Sequence, residues 1–540
     1  MTILQSSRRN FLKTTAVTAA ATAGLGGQPG AALAAEAPGV EEYGSIWERP
    51  PKQTGNNLNL IVIVSDTFRH DSLACYGEKW NERLETPNLD SFADECVVFK
   101  DAYPEGMPTI VIRRTLYTGR RAIPCYYFRQ HEPVQLPGWH DLYNEDQTLS
   151  ETLNEAGYTT ALVSDLPHQQ RPGRNFHRGF HVYQWIRGQE IDYYGTSPRT
   201  PSDVSDICSS DYLARINGLQ SFLNQYKANR NLWKQDGESL SEITARTAIR
   251  WIKSNFGHGP FYLHIEMFDP HEPWDPPERF LGKYWQGSYS PSFIQPPYPT
   301  IPLSDEIKQR LRANYAGETT CVDYWIGELL DTVKQYGLFE NSIVVFVSDH
   351  GALLGEHGQF LKGPDKLRGQ VTHIPLMIRT PHQQYAGKKV SGFVQIHDVM
   401  PTALHLLNLK PPKRVTGQNA WDLVTGATRS LRDYVVQTYG WIGGVRDQEW
   451  NYSEIWKPEA RQDKFSVRPG APETVYKPQL YNLENDPEEV TDVADQHPDI
   501  CQRMSAKLKE YIASGKGITY GSFNQKPSLS TGEVYVKESQ

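Results

Sequence analysis

The stretch Asp101–Arg121, DAYPEGMPTIVIRRTLYTGRR, concentrates residues that can do chemistry. Pro104, Gly106 and Pro108 interrupt regular structure ahead of Thr109. From Arg113 the residues can run as a helix to Gly119, a fitting C-terminal stop. A hydroxyl at the start of a helix faces unpaired backbone N–H groups and the positive end of the helix dipole, which favour a bound anion or a developing oxyanion. Arg113 and Arg114 add positive charge within a turn. The same placement also suits Thr109 as a plain N-cap beside surface arginines. A second set of residues bears on that choice. Four apolar runs end within a few residues in Asp or His: Asp66, Asp165, Asp269 with His271, and Asp349 with His350. Any one of these could cap a helix. Several converging on one sheet edge would make a metal or anion site, because open α/β sheets bind ligands beyond the carboxyl ends of their strands.

The elements that must position these residues follow from the hydrophobic pattern. Leu58–Val64 is apolar and rich in β-branched residues without clean alternation, the pattern of a strand buried on both faces of a parallel sheet. Strands are also expected at 159–163, 261–265, 342–347 and 376–378. Helices are expected at 148–158, 239–255, 304–335 (one or two) and 398–408. This alternation predicts an α/β sandwich with a large, mostly parallel central sheet flanked by helices. From about residue 430 the segments shorten and Tyr and Trp become frequent, and a polar helix at about 497–514 closes the pattern. That reads as a small C-terminal α+β subdomain. The tail from Gly515 is polar and expected to pack loosely.

At 540 residues the chain can bury a large core and a smaller second one. The net charge of −8 argues against nucleic acid as the main partner. The six cysteines lack C-x-x-C spacing, so no zinc ribbon or redox motif is readable. Ser7-Arg8-Arg9-Asn10-Phe11-Leu12-Lys13 is the twin-arginine export pattern, followed by a weakly apolar run and an A-x-A cleavage site at Ala32-Leu33-Ala34. That run carries too many Thr and Gly for a stable membrane span. The chain is expected to fold in the cytoplasm and leave it folded through the twin-arginine machinery, for the periplasm or the exterior. The expected organisation is a signal peptide at 1–34, a linker at 35–57, a catalytic domain at 58–425, a C-terminal subdomain at 426–515 and a tail at 516–540.

Several of these pieces resemble the sulfatase family of the alkaline-phosphatase-like superfamily. They are Asn59–Gly77, Thr86-Pro87-Asn88-Leu89-Asp90, Leu116-Tyr117-Thr118-Gly119-Arg120, Gly157-Tyr158-Thr159-Thr160-Ala161 and Ser348-Asp349-His350-Gly351. Asp398-Val399-Met400-Pro401-Thr402 and Leu480–Glu489 are similar to its later landmarks. The resemblance implies an alkaline-phosphatase-like sandwich with a divalent metal at the strand ends and a short antiparallel sheet in the C-terminal subdomain.

The chain departs from the family pattern in three places. The family's C/S-x-P-x-R motif supplies a Cys or Ser that is oxidised to formylglycine. Counting back from Thr118-Gly119-Arg120, that position is Thr109, with Arg113 on the motif's Arg and Val111 in place of its Pro. Threonine already carries a methyl on the carbon to be oxidised, so no formylglycine forms. Some related phosphatases, phosphodiesterases and phosphonate hydrolases use a plain Thr or Ser hydroxyl, and Thr109 resembles theirs. Where two Asp are common after the first strand, this chain has Asp66 and Thr67. The implied metal ligands are Asp66, Asp349, His350 and the Thr109 oxygen, with Thr67 a weak further candidate. One carboxylate fewer and an imidazole favour Mn²⁺, Zn²⁺ or Fe²⁺, with Ca²⁺ or Mg²⁺ left open. Finally, the G-K-W-H-L-G landmark is replaced by Ser164-Asp165-Leu166-Pro167-His168, so a sulfate-holding Lys is lost. Asp165 is left as a candidate for a second metal, a cationic substrate part or a structural role.

The implied reaction is two-step hydrolysis of a small anionic phosphate, phosphonate or sulfate ester. Thr109 is the nucleophile and Arg113 stabilises the equatorial oxygens. His271, in Asp269-Pro270-His271-Glu272-Pro273, resembles the family's P-H-x-P site facing the leaving group. Lys362 matches its second anion-holding Lys. Two other readings compete: a true sulfatase without formylglycine, and an inactive binder of anionic ligands.

Overall fold

The computed structural model describes residues 55–125, 134, 136–196, 202–457, 464–465 and 474–523. The signal peptide, the linker through residue 54 and the tail from residue 524 lie outside the described residues.

The central strand β1 (Asn59–Ser65) is buried at all seven positions. Its even residues Leu60, Val62 and Val64 face one core, and its odd residues Ile61 and Ile63 face another. This two-sided burial is why the run shows no polar alternation. The sheet is completed by β2 (Val97–Phe99), β3 (Thr159–Ser164), β4 (Val182–Trp185), β5 (Phe261–Met267), β6 (Ser342–Ser348), β7 (Leu376–Arg379) and β8 (Lys389–Val390), in the order β8-β2-β7-β6-β1-β5-β3-β4. Only β7 runs against the others. Thus the sheet is mostly parallel, as the pattern predicts. Ser65 pairs with Met267 of β5 and with Ser348 of β6. Three neighbouring strands therefore end level, and the next residues, Asp66, Phe268 and Asp349, leave the sheet along one edge.

Helices cover both faces. On one side pack α1 (Thr109–Thr118), α2 (Leu149–Glu155, with a Thr148–Glu151 capping box) and later α5 (Val399–Leu406). On the other side pack α3 (Leu240–Asn255) and α4 (Asp305–Gln335), a single helix of 31 residues. All ten residues of α1 are buried, both arginines included. It begins at Thr109 rather than at Arg113, because Pro108 is its N-cap residue in extended conformation. It stops at Gly119, whose φ of 61° and close neighbours Val415 and Met400 suit a residue without a side chain.

The C-terminal sheet holds β9 (Val435–Tyr439), β10 (Ile442–Arg446), β11 (Trp450–Ile455) and β12 (Gln479–Asn482) in an antiparallel meander. Helix α6 (Pro498–Ser514) adds Met504 and Leu508 to its core. The outer strand of this sheet is Gly106–Met107, which pairs in parallel with Thr438 and Tyr439. The segment feeding α1 is therefore part of the C-terminal sheet. Glu105 reinforces the junction. It is fully buried and accepts from Ala122 N at 2.6 Å, Tyr511 Oη of α6 at 2.7 Å and Arg121 Nε at 3.4 Å.

One expectation changes. The beginning of the tail is packed, not loose: Thr519 is 1% exposed and donates to Pro124 O at 2.6 Å, and the Phe523 ring meets His140 edge-on and Tyr143 at a tilt.

Replacing Glu105 by Ala leaves the buried Ala122 N–H and the Tyr511 hydroxyl without their acceptor and removes the carboxylate partner of Arg121. The expected loss is about 3 kcal/mol of stability, read as a lower denaturation midpoint at unchanged m-value.

Candidate active site

Because β1 and β6 end in register, Asp66 and Asp349 meet, and His350 follows directly. Ligand atoms of Asp66, Asp349 and His350 all lie within 4.8 Å of one another, and all three residues are buried. The His350 Nδ1–H donates to Gly351 O at 3.0 Å, so Nε2 carries the lone pair. That Nε2 is buried without a hydrogen-bond partner, 3.7 Å from Asp349 and 4.0 Å from Asp66. Burial holds the imidazole neutral by lowering its pKa to about 4. A neutral imidazole whose second nitrogen is fixed on a carbonyl, aimed at two carboxylates, is the donor set of a metal site. Burial and the charge of Asp349 push the Asp66 carboxyl well above its usual range. Against the pull of burial, His350 and Arg113 hold Asp349 below its own. The residues present thus fit a cation.

Arg113 packs against the two carboxylates of this cluster and lines no part of the Thr109 cavity. It is 0% exposed, and its guanidinium donates to Asp349 at 2.7 Å, Asp66 at 3.1 Å and Glu266 at 3.1 Å. Its charge is committed to three carboxylates, which raise its pKa although burial opposes them. Arg114 points elsewhere, to Gly138 O and His140. It contributes nothing to this cluster.

Thr109 is the first residue of α1 and stands four positions before Arg113, so the two share one helix face. Arg113 fixes that face on the Asp66–Asp349 pair. Thr109, one turn nearer the N-terminus, lines a cavity of about 410 Å³ together with His271 and Lys362. Its 2% exposure leaves the cavity as its outlook. Trp139, Phe222, Tyr298 and Tyr439 supply much of the remaining wall.

His271 and Lys362 form a pair. The Lys362 Nζ donates to His271 Nε2 at 2.6 Å, and the His271 Nδ1–H donates to Glu272 O at 2.6 Å. Burial, then the Lys362 charge, push the His271 pKa well below its ordinary value. Lys362 also donates to both Glu272 carboxylate oxygens, at 3.0 and 3.2 Å. On another part of the wall, His168 Nε2 stands 3.0 Å from Glu190. Burial works against ionisation of Glu190, yet this contact lowers its pKa to about 2.

Two candidates do not join the cluster. Asp165 accepts from Phe268 N at 2.7 Å and from Gln189 at 3.3 Å, while Asp269 accepts from Gln189 and Ser241, each at 2.6 Å. These bonds give both acids structural roles. Thr67 turns its hydroxyl to Asp66 at 2.8 Å, and its N–H donates to Asp349 at 2.9 Å. Its φ of 63° is rare for a β-branched residue and costs about 1–3 kcal/mol, so the carboxylates are held at the expense of backbone strain.

Sequence reasoning missed Glu266. It is fully buried on β5 and takes Arg113, His264 at 3.1 Å and Ser164 at 3.2 Å. The signal was present. Tyr262, His264 and Glu266 recur at every second position of an otherwise apolar strand, and Tyr262 Oη bonds His264 Nδ1 at 2.8 Å.

With this geometry in place, comparisons identify the scaffold. Residues 58–409 match the family model described as Sulfatase, and residues 355–514 match "N-sulphoglucosamine sulphohydrolase, C-terminal". Residues 5–26 match the twin-arginine translocation pathway signal sequence, so the chain is exported by that route to the periplasm or the exterior. No helix among the described residues is long and apolar enough to cross a membrane. An arylsulfatase of Clostridium perfringens is 26% identical over 463 residues, spanning 81% of this chain and 90% of its own length. An N-acetylgalactosamine-6-O-sulfatase of Bacteroides thetaiotaomicron is 24% identical over 540 residues, spanning 87% and 97%. The solved phosphonate monoester hydrolase of Agrobacterium radiobacter superposes with a TM-score of 0.60 at 20% identity, covering 85% of this chain and 96% of that one, which speaks for the fold alone. The chain belongs to the sulfatase family and is an ester hydrolase.

Proposed function

We propose that the protein hydrolyses a phosphate, phosphonate or sulfate ester through Thr109 as nucleophile, with one divalent ion bound by Asp66, Asp349, His350 and the Thr109 oxygen. The carrying observation is the helical register of α1, which joins Thr109 in the cavity to Arg113 on the carboxylate pair. Held by these residues, a divalent ion would lower the Thr109 hydroxyl pKa, so that the oxygen attacks as the alkoxide, and would polarise the ester. Two carboxylates and one imidazole favour Mn²⁺, Zn²⁺ or Fe²⁺, leaving Ca²⁺ and Mg²⁺ as further candidates. Formylglycine takes no part.

The Thr109 oxygen forms a bond to phosphorus or sulfur as the bond to the leaving-group oxygen breaks. Free N–H groups at the start of α1 and the Lys362 ammonium face the equatorial oxygens. Arg113 acts one layer back, positioning the ligand carboxylates. Because His271 Nε2 accepts from Lys362, the proton for the leaving oxygen comes from the Lys362 ammonium, with His271 orienting it. In the second step Lys362, now an amine, takes a proton from water. The resulting hydroxide breaks the Thr109 ester. The arylsulfatase and phosphonate monoester hydrolase relatives support assaying both ester classes.

Thr109→Ala is expected to lower kcat by about a thousandfold or more and to weaken metal retention without abolishing it, since Asp66, Asp349 and His350 remain. The check is release of nitrophenol from aryl sulfates, phosphonates and phosphates by the mature protein. No turnover of any ester by metal-loaded wild type would overturn the reading in favour of a ligand-binding role. Asp66→Asn is expected to abolish metal retention. Metal at a hundredfold its Kd adds about 2.7 kcal/mol to wild type and nothing to the variant, as read by thermal denaturation with and without chelator.

A further inference from the structure

We infer that the site selects substrates carrying a single negative charge at the reacting group, and that Glu272 sets this selection through Lys362. The inference rests on the ester-hydrolase reading of the Thr109 centre and names the substrate class it takes. Candidate classes are sulfate monoesters, phosphonate monoesters and phosphodiesters; the excluded class is the phosphate monoester dianion.

The selection follows from the charges along the cavity. Lys362 is the lone Lys or Arg among the described residues of the cavity wall. Its ammonium sits on the Glu272 carboxylate at 3.0 and 3.2 Å, and both side chains are nearly inaccessible, 3% and 1% exposed. Glu272 also accepts from Tyr298 Oη, and the Tyr298 ring is itself part of the wall. The carboxylate is therefore fixed from two sides and stays beside the ammonium when a substrate arrives. The field that Lys362 presents to an incoming anion is that of a dipole, not of a free cation.

No further Lys or Arg among the described residues of the wall makes up the difference. Arg113 is already outnumbered by Asp66, Asp349 and Glu266, and a divalent ion would bring that cluster to neutrality without excess positive charge. Elsewhere on the wall stands the Glu190 carboxylate, against His168. Asp165 and Asp269 are buried behind it with Gln189 and Ser241 and add no cation. One negative charge brought into this wall meets the metal cluster and the start of α1. A second would be brought in against Glu272, with no further Lys or Arg among the described residues of the wall, in a cavity whose apolar walls strengthen the repulsion.

Glu272 does not line the cavity, so it acts through Lys362 as a positioning residue. The test uses the metal-loaded full chain at pH 8, where phosphate monoesters are dianions. kcat and KM are measured for 4-nitrophenyl phosphate, 4-nitrophenyl sulfate and bis(4-nitrophenyl) phosphate with wild type, Glu272→Gln and Glu272→Asp. Glu272→Gln should raise the ratio of kcat/KM for the dianion to that for the monoanions about tenfold, chiefly through a lower KM for the dianion. Glu272→Asp should restore the wild-type ratio. A merely structural role would lower all three substrates alike, and that result, or an unchanged ratio, overturns the proposal. Should wild type turn over no ester, the hydrolase reading fails separately. Calorimetric binding of phenyl phosphate against phenyl sulfate to the same three proteins then reads the charge rule directly, and an unchanged affinity ratio in Glu272→Gln sinks it.

Discussion

One buried guanidinium organises this protein. Arg113 lies inside the fold with no exposure and donates to Asp66, Asp349 and Glu266, which arrive on three different segments. Burying any of these charges alone would cost several kcal/mol. Together they are tolerated because each carboxylate finds a planar donor and the strand ends supply further N–H groups. The consequence is geometric: α1 cannot slide or rotate without breaking all three contacts. The Thr109 hydroxyl inherits that rigidity from one turn away.

Polar order continues outward from this point. Tyr262, His264 and Glu266 occupy one face of β5 and link the core to Arg113. Tyr315 donates to Thr67 O at 2.8 Å and helps hold the unfavourable backbone at the end of β1. On the cavity side, Glu272 and Tyr298 fix Lys362 and His271. Nearly every titratable group around Thr109 is thus held by a partner, as expected of a centre whose groups must not reorganise during reaction.

Much of this was legible in the sequence, for physical reasons. Asp66, Asp349 and His350 follow apolar runs, and parallel strands in register bring such ends together. Thr109 was marked by the prolines and glycine before it and by the Gly119 stop after it. What the pattern could not convey was direction. Arg113 has the right spacing to face an anion, yet its side chain turns back onto the carboxylates. Asp165 and Asp269 also end strands, but Gln189 and Ser241 claim them. Glu266 was overlooked because a single acid inside an apolar strand carries little weight until its partners are known. Packing of residues 515–523 was hidden for a similar reason, since polar composition does not reveal backbone acceptors such as Pro124 O.

The two-residue strand Gly106–Met107 has a bearing on the order of events during synthesis. Its partner strand, Val435–Tyr439, is made more than three hundred residues later. Glu105 likewise waits for Tyr511. A growing chain on the ribosome therefore lacks the support that sets the start of α1, however complete its large sheet has become. The start of α1 is held from both sides only when Val435–Tyr439 and Tyr511 have docked. A protein that leaves the cytoplasm already folded gains by this arrangement, because completing the C-terminal sheet and setting the start of α1 become the same event.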